Sequence, residues 1–177
     1  MRELSLNVLD IAQNSVAADS SLVTVEAIEN TAKHELTLCV ADNGKGMTKE
    51  QLEAVRDPFF TTRTTRKVGL GVPLFKMAAE MTGGALTIES ELGKGTTVTA
   101  VFKTDHVDFT PLGDMTSTIV ALITMNTHID FVYHFKKDKY EFSLDTRKLK
   151  EILGDVSLSE PSIAQWLTEY INENTNV

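Results

Sequence analysis

The chain has 177 residues, 42% of them hydrophobic and 24% charged, with 10 Gly and 4 Pro, a balance that excludes disordered and collagen-like proteins. Its net charge is −8, from 17 Lys plus Arg against 25 Asp plus Glu, which argues against non-specific nucleic-acid binding and against an anionic membrane surface. No apolar run approaches the ~18 residues that cross a bilayer, and the amino terminus has no signal-peptide core. The single cysteine, Cys39, cannot form an internal disulfide, so a cytoplasmic location is expected.

Residues 3–18 read as a helix, with Leu4, Val8, Ile11 and Ser15 on one stripe and Leu9, Ala12 and Val16 beside it. Residues 22–28 and 35–40 carry the β-branched and alternating patterns of two strands. Asp42-Asn43-Gly44-Lys45-Gly46 is a turn, and Thr48 with Gln51 forms a capping box that opens a short helix. Residues 57–71 read as a loop, after which Pro73 suits the first turn of a helix running to about residue 81. Residues 85–91 and 96–103 form a hairpin around Leu92-Gly93-Lys94-Gly95. The pattern is α+β, a two-layer α/β sandwich with helices on one face of the sheet.

Past about residue 104 the character changes, and the chain divides into 1–104 and a small α+β extension, 105–177. Residues 113–124 are compatible with helix or strand, and Met115, Ile119, Leu122 and Ile123 favour helix. Residues 130–135 and 140–144 suggest a hairpin, followed by helices over 146–153 and 161–172.

Four features bear on chemistry. Asn7, Asp10 and Asn14 share one helix face; Asp10 could take or orient a proton, and Asn14 offers a neutral hard oxygen to Mg²⁺. Asp42 ends an apolar strand ahead of two glycines that let a flat ligand approach, and a carboxylate accepts from an exocyclic amino group such as that of adenine. Asp-Asn-Gly is by itself an ordinary turn. Arg56, Arg63, Arg66 and Lys67 face one acid, Asp57, within residues 56–67, a basic loop inside an acidic chain. It leads into Gly69-Leu70-Gly71 and a helix start, where backbone N–H groups can meet an anion. Lastly, the threonines of Gly93-Lys94-Gly95-Thr96-Thr97 could supply hydroxyls to a neighbouring ligand.

In order and spacing these segments resemble the nucleotide-binding boxes of the GHKL ATPases, the superfamily of sensor histidine kinases, anti-sigma-factor kinases, type II topoisomerase ATPase domains, heat-shock chaperones and mismatch-repair clamps. Asp10-Ile11-Ala12-Gln13-Asn14 resembles the N box and Asp42–Gly46 the first glycine box. Asp57-Pro58-Phe59-Phe60-Thr61-Thr62 resembles the F box of histidine kinases, and Gly69-Leu70-Gly71-Val72-Pro73-Leu74 the second glycine box. Residues 83–97 resemble the closing hairpin of histidine-kinase catalytic domains.

The resemblance, over residues 3–103, implies a Bergerat-type sandwich that binds ATP with Mg²⁺ under a lid. Asp42 would hold the adenine amino group, Gly44 and Gly46 would line the base, and Thr97 would help through a water. Asn14 would bind Mg²⁺. Arg63, Arg66, Lys67 and the amides around Gly69 and Gly71 would meet the triphosphate, and Asp10 falls where the family places its general base. The sequence departs from the family pattern in having Asp10 rather than Glu, Ala17 in place of a basic residue, and a short lid. No phosphoacceptor helix pair precedes the N box, and none of His34, His106, His128 and His134 sits in such a setting. A stand-alone kinase catalytic subunit acting on a separate protein is therefore expected, with an ATP-gated switch as the alternative and a scaffold of negligible turnover as a third reading. Dimerisation through added segments is common in such folds.

Overall fold

The structure is a computed structural model and describes residues 3–56 and 68–177. Among the described residues, twelve elements run in the order α1 (Leu4–Ala17), β1 (Leu22–Asn30), β2 (Glu35–Asp42), α2 (Lys49–Arg56), α3 (Val68–Glu80), β3 (Ala85–Glu91), β4 (Gly95–Lys103), α4 (Met115–Met125), β5 (Asp130–Lys137), β6 (Tyr140–Asp145), α5 (Thr146–Leu153) and α6 (Pro161–Thr175). The strands form one six-stranded sheet in the order β3-β4-β2-β1-β5-β6. Every pair is antiparallel except β1–β5, which is parallel.

Register explains why one face of this sheet is a core. A single cross-strand row runs Ile88, Val98, Val40, Val25, Tyr133, Leu144, and all six side chains are buried. The neighbouring residues on each strand point the other way, so the next row reads Thr87, Thr99, Cys39, Glu26, His134, Ser143 and is polar, as the two-residue period of a strand requires. Helix α1 packs on β1 and β2, α3 on β3 and β4, and α4 on β5 and α1. They bury Leu4, Val8 and Ile11 from α1, Val72, Phe75 and Ala79 from α3, and Ile119, Leu122 and Ile123 from α4 against that apolar row. These are the two layers that the sequence predicts.

The residues after 104 add their strands to the same sheet and their side chains to the same core. They also hold the start of α1. Leu4 and Ser5 donate their backbone N–H to the carbonyls of Pro111 and Leu112 at 2.9 and 2.8 Å, and Thr118 donates its hydroxyl to the Ser5 carbonyl. Residues 113–124, read as helix or strand, are helical over Met115–Met125. Asp114 caps this helix through Ser117 N–H.

Two local expectations need comment. The capping box forms as predicted, with Thr48 N–H donating to Gln51 Oε1 at 2.9 Å and Gln51 N–H to Thr48 Oγ1 at 3.2 Å. Pro73, however, is not at a helix start. Helix α3 begins at Val68 and carries Pro73 in its interior. Proline there forfeits the N–H bond back to the fourth preceding residue, Gly69, and crowds that residue's carbonyl, a cost set against the burial of Val72 and Phe75 on either side in the core.

Candidate functional site

Between α1, the turn after β2, α2, α3 and the β3–β4 hairpin lies a cleft of about 290 Å³, walled by Ile11, Val40, Val55, Val72, Ile88 and Val98. Such walls suit a flat apolar-faced ligand. The polar groups gather at its edges. Asn14, Ser15, Asp42 and Thr96 all line it.

Asp42 reaches this cleft by strand alternation. It follows Leu36, Leu38 and Val40 at two-residue steps, so its carboxylate falls on the helix-covered face. There it accepts three hydrogen bonds. Ser15 Oγ donates to Oδ2 at 2.6 Å, and the Gly44 and Thr96 amides donate to Oδ1 at 2.9 and 3.2 Å. Such donors fix the carboxylate's orientation in the cleft. The turn is fastened behind it: Asn43 Oδ1 accepts from Ser21 and Leu22 N–H, and Lys45 N–H donates to the Ala18 carbonyl.

The two glycines of this turn have different jobs. Gly46 lines the cleft and has φ +69°, and a Cβ there would lie 2.0 Å from the Glu91 carbonyl oxygen. Gly44 does not line the cleft; it packs against the end of α1, where a Cβ would lie 2.6 Å from the Ala18 carbonyl oxygen. It contributes through its N–H. Thr97 also departs from expectation. In β4 the inward positions are Thr96, Val98, Ala100 and Phe102, so Thr97 points to the open face of the sheet, and Thr96 takes the place in the cleft. That register was available in the sequence from the alternation of Val98, Ala100 and Phe102.

Asn14 also lines the cleft, and its Oδ1 is buried and has no hydrogen-bond partner among the described residues. A buried unpaired carbonyl oxygen is costly, and it is the hard, neutral donor that Mg²⁺ accepts, so the residues present fit such an ion. Asp10, one turn earlier, keeps its edge in solvent, and partial desolvation of its carboxyl pushes its pKa up. Both residues back onto the first turn of α3. A Cβ on Gly71 would lie 3.7 Å from Asp10 Cβ and 3.9 Å from Asn14 Nδ2. Gly69 and Gly71 fall within that first turn, whose leading N–H groups have no intrahelical partner and favour an anion. Arg63, Arg66, Lys67 and the F-box segment lie outside the described residues.

Residues 1–106 match the family described as histidine kinase-, DNA gyrase B-, and HSP90-like ATPases. This chain belongs to that family. Among its curated relatives, the sensor histidine kinase ZraS of Klebsiella oxytoca is 34% identical over 95 residues, covering 54% of this chain and 20% of that protein. Sporulation kinase C of Bacillus subtilis is 35% identical over 89 residues, covering 49% and 20%. The chain thus spans about a fifth of the length of these relatives. The ADP complex of the Aquifex aeolicus MutL ATPase domain superposes with a TM-score of 0.52 at 16% identity, over 86% of this chain and 69% of that one. The amino-terminal domain of a DNA repair protein gives 0.57 at 15%, over 82% and 53%. These likenesses establish the histidine-kinase-like ATPase fold. Among the described residues no helix is long and apolar enough to cross a membrane.

Proposed function

We propose that this histidine-kinase-like ATPase binds ATP in the α1–β2–β4 cleft and, as a kinase catalytic subunit, transfers its γ-phosphate to a separate protein. The observation that carries the reading is two unlike polar groups lining one cleft. Asp42 is a carboxylate fixed by three donors, and Asn14 Oδ1 is a buried acceptor without a donor among the described residues. A purine amino group suits the first, and a cation suits the second. Residues 1–104 are the nucleotide-binding unit in this reading, and 105–177 the extension that steadies it.

Asn14 would hold Mg²⁺, which supplies charge neutralisation on the transferred phosphoryl group. This chain's own residues do the rest. Asp42 orients the base, the apolar walls exclude water, and the first-turn amides of α3, with Arg63, Arg66 and Lys67, meet the phosphates. Asp10 is a base poised nearer neutrality than a free aspartate, because burial favours its protonated form. The similarity to sensor and sporulation kinases favours transfer to protein over simple hydrolysis.

A switch reading has one observation in its favour: the segment 111–118 is hydrogen-bonded to the first turn of the helix that carries Asp10 and Asn14, so nucleotide and extension share a lever. Incubation with γ-labelled ATP and candidate partner proteins separates the two. Label on a second protein supports the kinase; free phosphate with no labelled protein supports the switch. No nucleotide binding by calorimetry, in a folded sample, overturns both.

A further inference from the structure

A second cavity, of about 450 Å³, lies wholly among residues beyond the matched segment 1–106 and shares no lining residue with the nucleotide cleft. Its volume is within the range of small-molecule sites, roughly 300–1,000 Å³. The first turn of α4 and the last turn of α6 form two of its sides, and Tyr133 and Phe135, two steps apart on β5, bring aromatic rings to it.

Tyr133 is the group that the fold leaves without a partner. It is 2% exposed, yet its hydroxyl makes no hydrogen bond with the described residues, and burial alone pushes its pKa up. A buried hydroxyl with no partner is costly, and this one lines the cavity. The phenol stays protonated, so it can both donate and accept. The polar groups around it are neutral and partly engaged. Thr116, 6% exposed, commits its proton to Asn172 Oδ1 at 2.7 Å, and Thr175 commits its own to the Ile171 carbonyl at 2.7 Å. Both hydroxyls are left as acceptors, while the Asn172 amide keeps its two N–H donors.

Charge is not what this lining recognises. Among the described residues no Lys, Arg or His lines the cavity. Its one carboxylate, Asp114, is occupied by the Ser117 amide and hydroxyl at 3.0 and 2.6 Å. The two helix ends beside it are opposite in polarity, a positive start and a negative finish. A partner must therefore be uncharged and must donate and accept at neighbouring points. A lone carbonyl leaves the Thr116 and Thr175 oxygens idle, and a trans amide points its donor and acceptor in opposite directions. A hydroxyl does both from one atom. Hydroxyls on a ring whose C–H face can lie against an aromatic side chain are the chemistry of a sugar or cyclitol. We propose that this cavity binds a neutral polyol ring of monosaccharide size, with the Tyr133 hydroxyl, Thr116 Oγ1 and Asn172 Nδ2 as its hydrogen-bonding partners.

The test is a nitrogen-15 NMR titration of the full chain with glucose, galactose, mannose, ribose, N-acetylglucosamine and myo-inositol, and with inorganic phosphate and methylammonium as charged probes. At least one polyol is expected to shift the amides of residues 112–116 and 172–176 with a Kd of about 1–10 mM. Tyr133→Phe keeps the ring and removes the unpartnered hydroxyl; it is expected to weaken that polyol about tenfold with no loss of melting temperature. Asn172→Ala, at an exposed position, is the second variant and is expected to act in the same direction. No polyol shifting those amides at about 50 mM overturns the proposal. So does a response there to phosphate or methylammonium that equals the polyol's, or polyol binding unchanged in both variants. ATP affinity is expected to stay the same in either variant, because neither residue lines the nucleotide cleft, so the ATP reading stands or falls separately.

Discussion

Gly46 offers a sharp test of how the cleft is built. Its φ of +69° is one that an L side chain rarely adopts, and a Cβ would sit 2.0 Å from the Glu91 carbonyl oxygen, a backbone atom that cannot rotate away. Gly46→Ala must therefore push the β3–β4 hairpin off the Asp42 turn. The contacts between the two nearest Gly46 include the Met47 N–H bond to Ser90 Oγ at 2.9 Å and the Gly93 N–H bond to the Lys45 carbonyl at 2.7 Å. Taking about 1 kcal/mol for the left-handed backbone and about 1 kcal/mol for each hydrogen bond lost, the destabilisation is about 3 kcal/mol. For a domain of this size that lowers Tm by roughly 6–12 °C. Gly83 is an internal control. Its φ is +86° but nothing lies within 4 Å of a Cβ, so Gly83→Ala bears the backbone cost alone and loses roughly 2–4 °C. The entropic gain from stiffening the unfolded chain is common to both variants and cancels. Scanning calorimetry of the two proteins decides the matter: equal shifts would refute the steric reasoning.

Asp42→Asn keeps the shape of the side chain but removes the charge that its three donors serve, and ATP affinity measured by calorimetry is expected to fall at least about a hundredfold; retained affinity would move the purine elsewhere. Asp10→Asn should leave ATP affinity within about twofold while phosphoryl transfer or release collapses. Because the folded-state pKa of Asp10 is raised, its ionisation weakens the fold as pH climbs through that value, so the asparagine variant gains stability near neutral pH and not in acid, which urea titrations at two pH values will show. Asp114→Ala removes a cap and costs about 1 kcal/mol. The Ser117 hydroxyl and amide hold the Asp114 carboxyl below its ordinary range, so its contribution is present above the unfolded pKa and fades as pH falls through the folded one; a difference from wild type that persisted in strong acid would contradict this. Leu167→Ala, at a fully buried position in α6, is expected to cost about 2–5 kcal/mol in a single transition monitored together by Trp166 fluorescence and far-ultraviolet dichroism. Two separate transitions would show that the extension unfolds on its own.

Much of this molecule was legible in its sequence where a local rule decides the outcome. The capping box at Thr48, the hairpin between Glu91 and Gly95 and the turn before Tyr140 all depend on a few adjacent residues, and they stand where they were expected. Asp42 was legible for the same reason, as the polar end of an apolar alternation. What local rules cannot carry is partnership at a distance. Nothing near Asp130 announces that β5 will lie parallel to β1, or that Leu4 will donate to the carbonyl of Pro111. The resemblance points to Thr97, but Thr96 and Thr97 are equivalent side chains standing together, and only the inward register of Val98 and Phe102 separates them. Ser15 reads as a member of the apolar stripe, and indeed it is buried with it; that its hydroxyl serves a carboxylate 27 positions later becomes visible only in three dimensions.

The parallel β1–β5 pair has a consequence for the order in which the protein is made. Strand β1 finds β2 almost as soon as both leave the ribosome, but its other edge must wait until residues 130–137 have been synthesised. Through that interval a row of backbone donors and acceptors stands open to any passing strand. The nascent chain is thus most exposed to mispairing just when its nucleotide pocket is already encoded, and the emergence of β5 closes the gap.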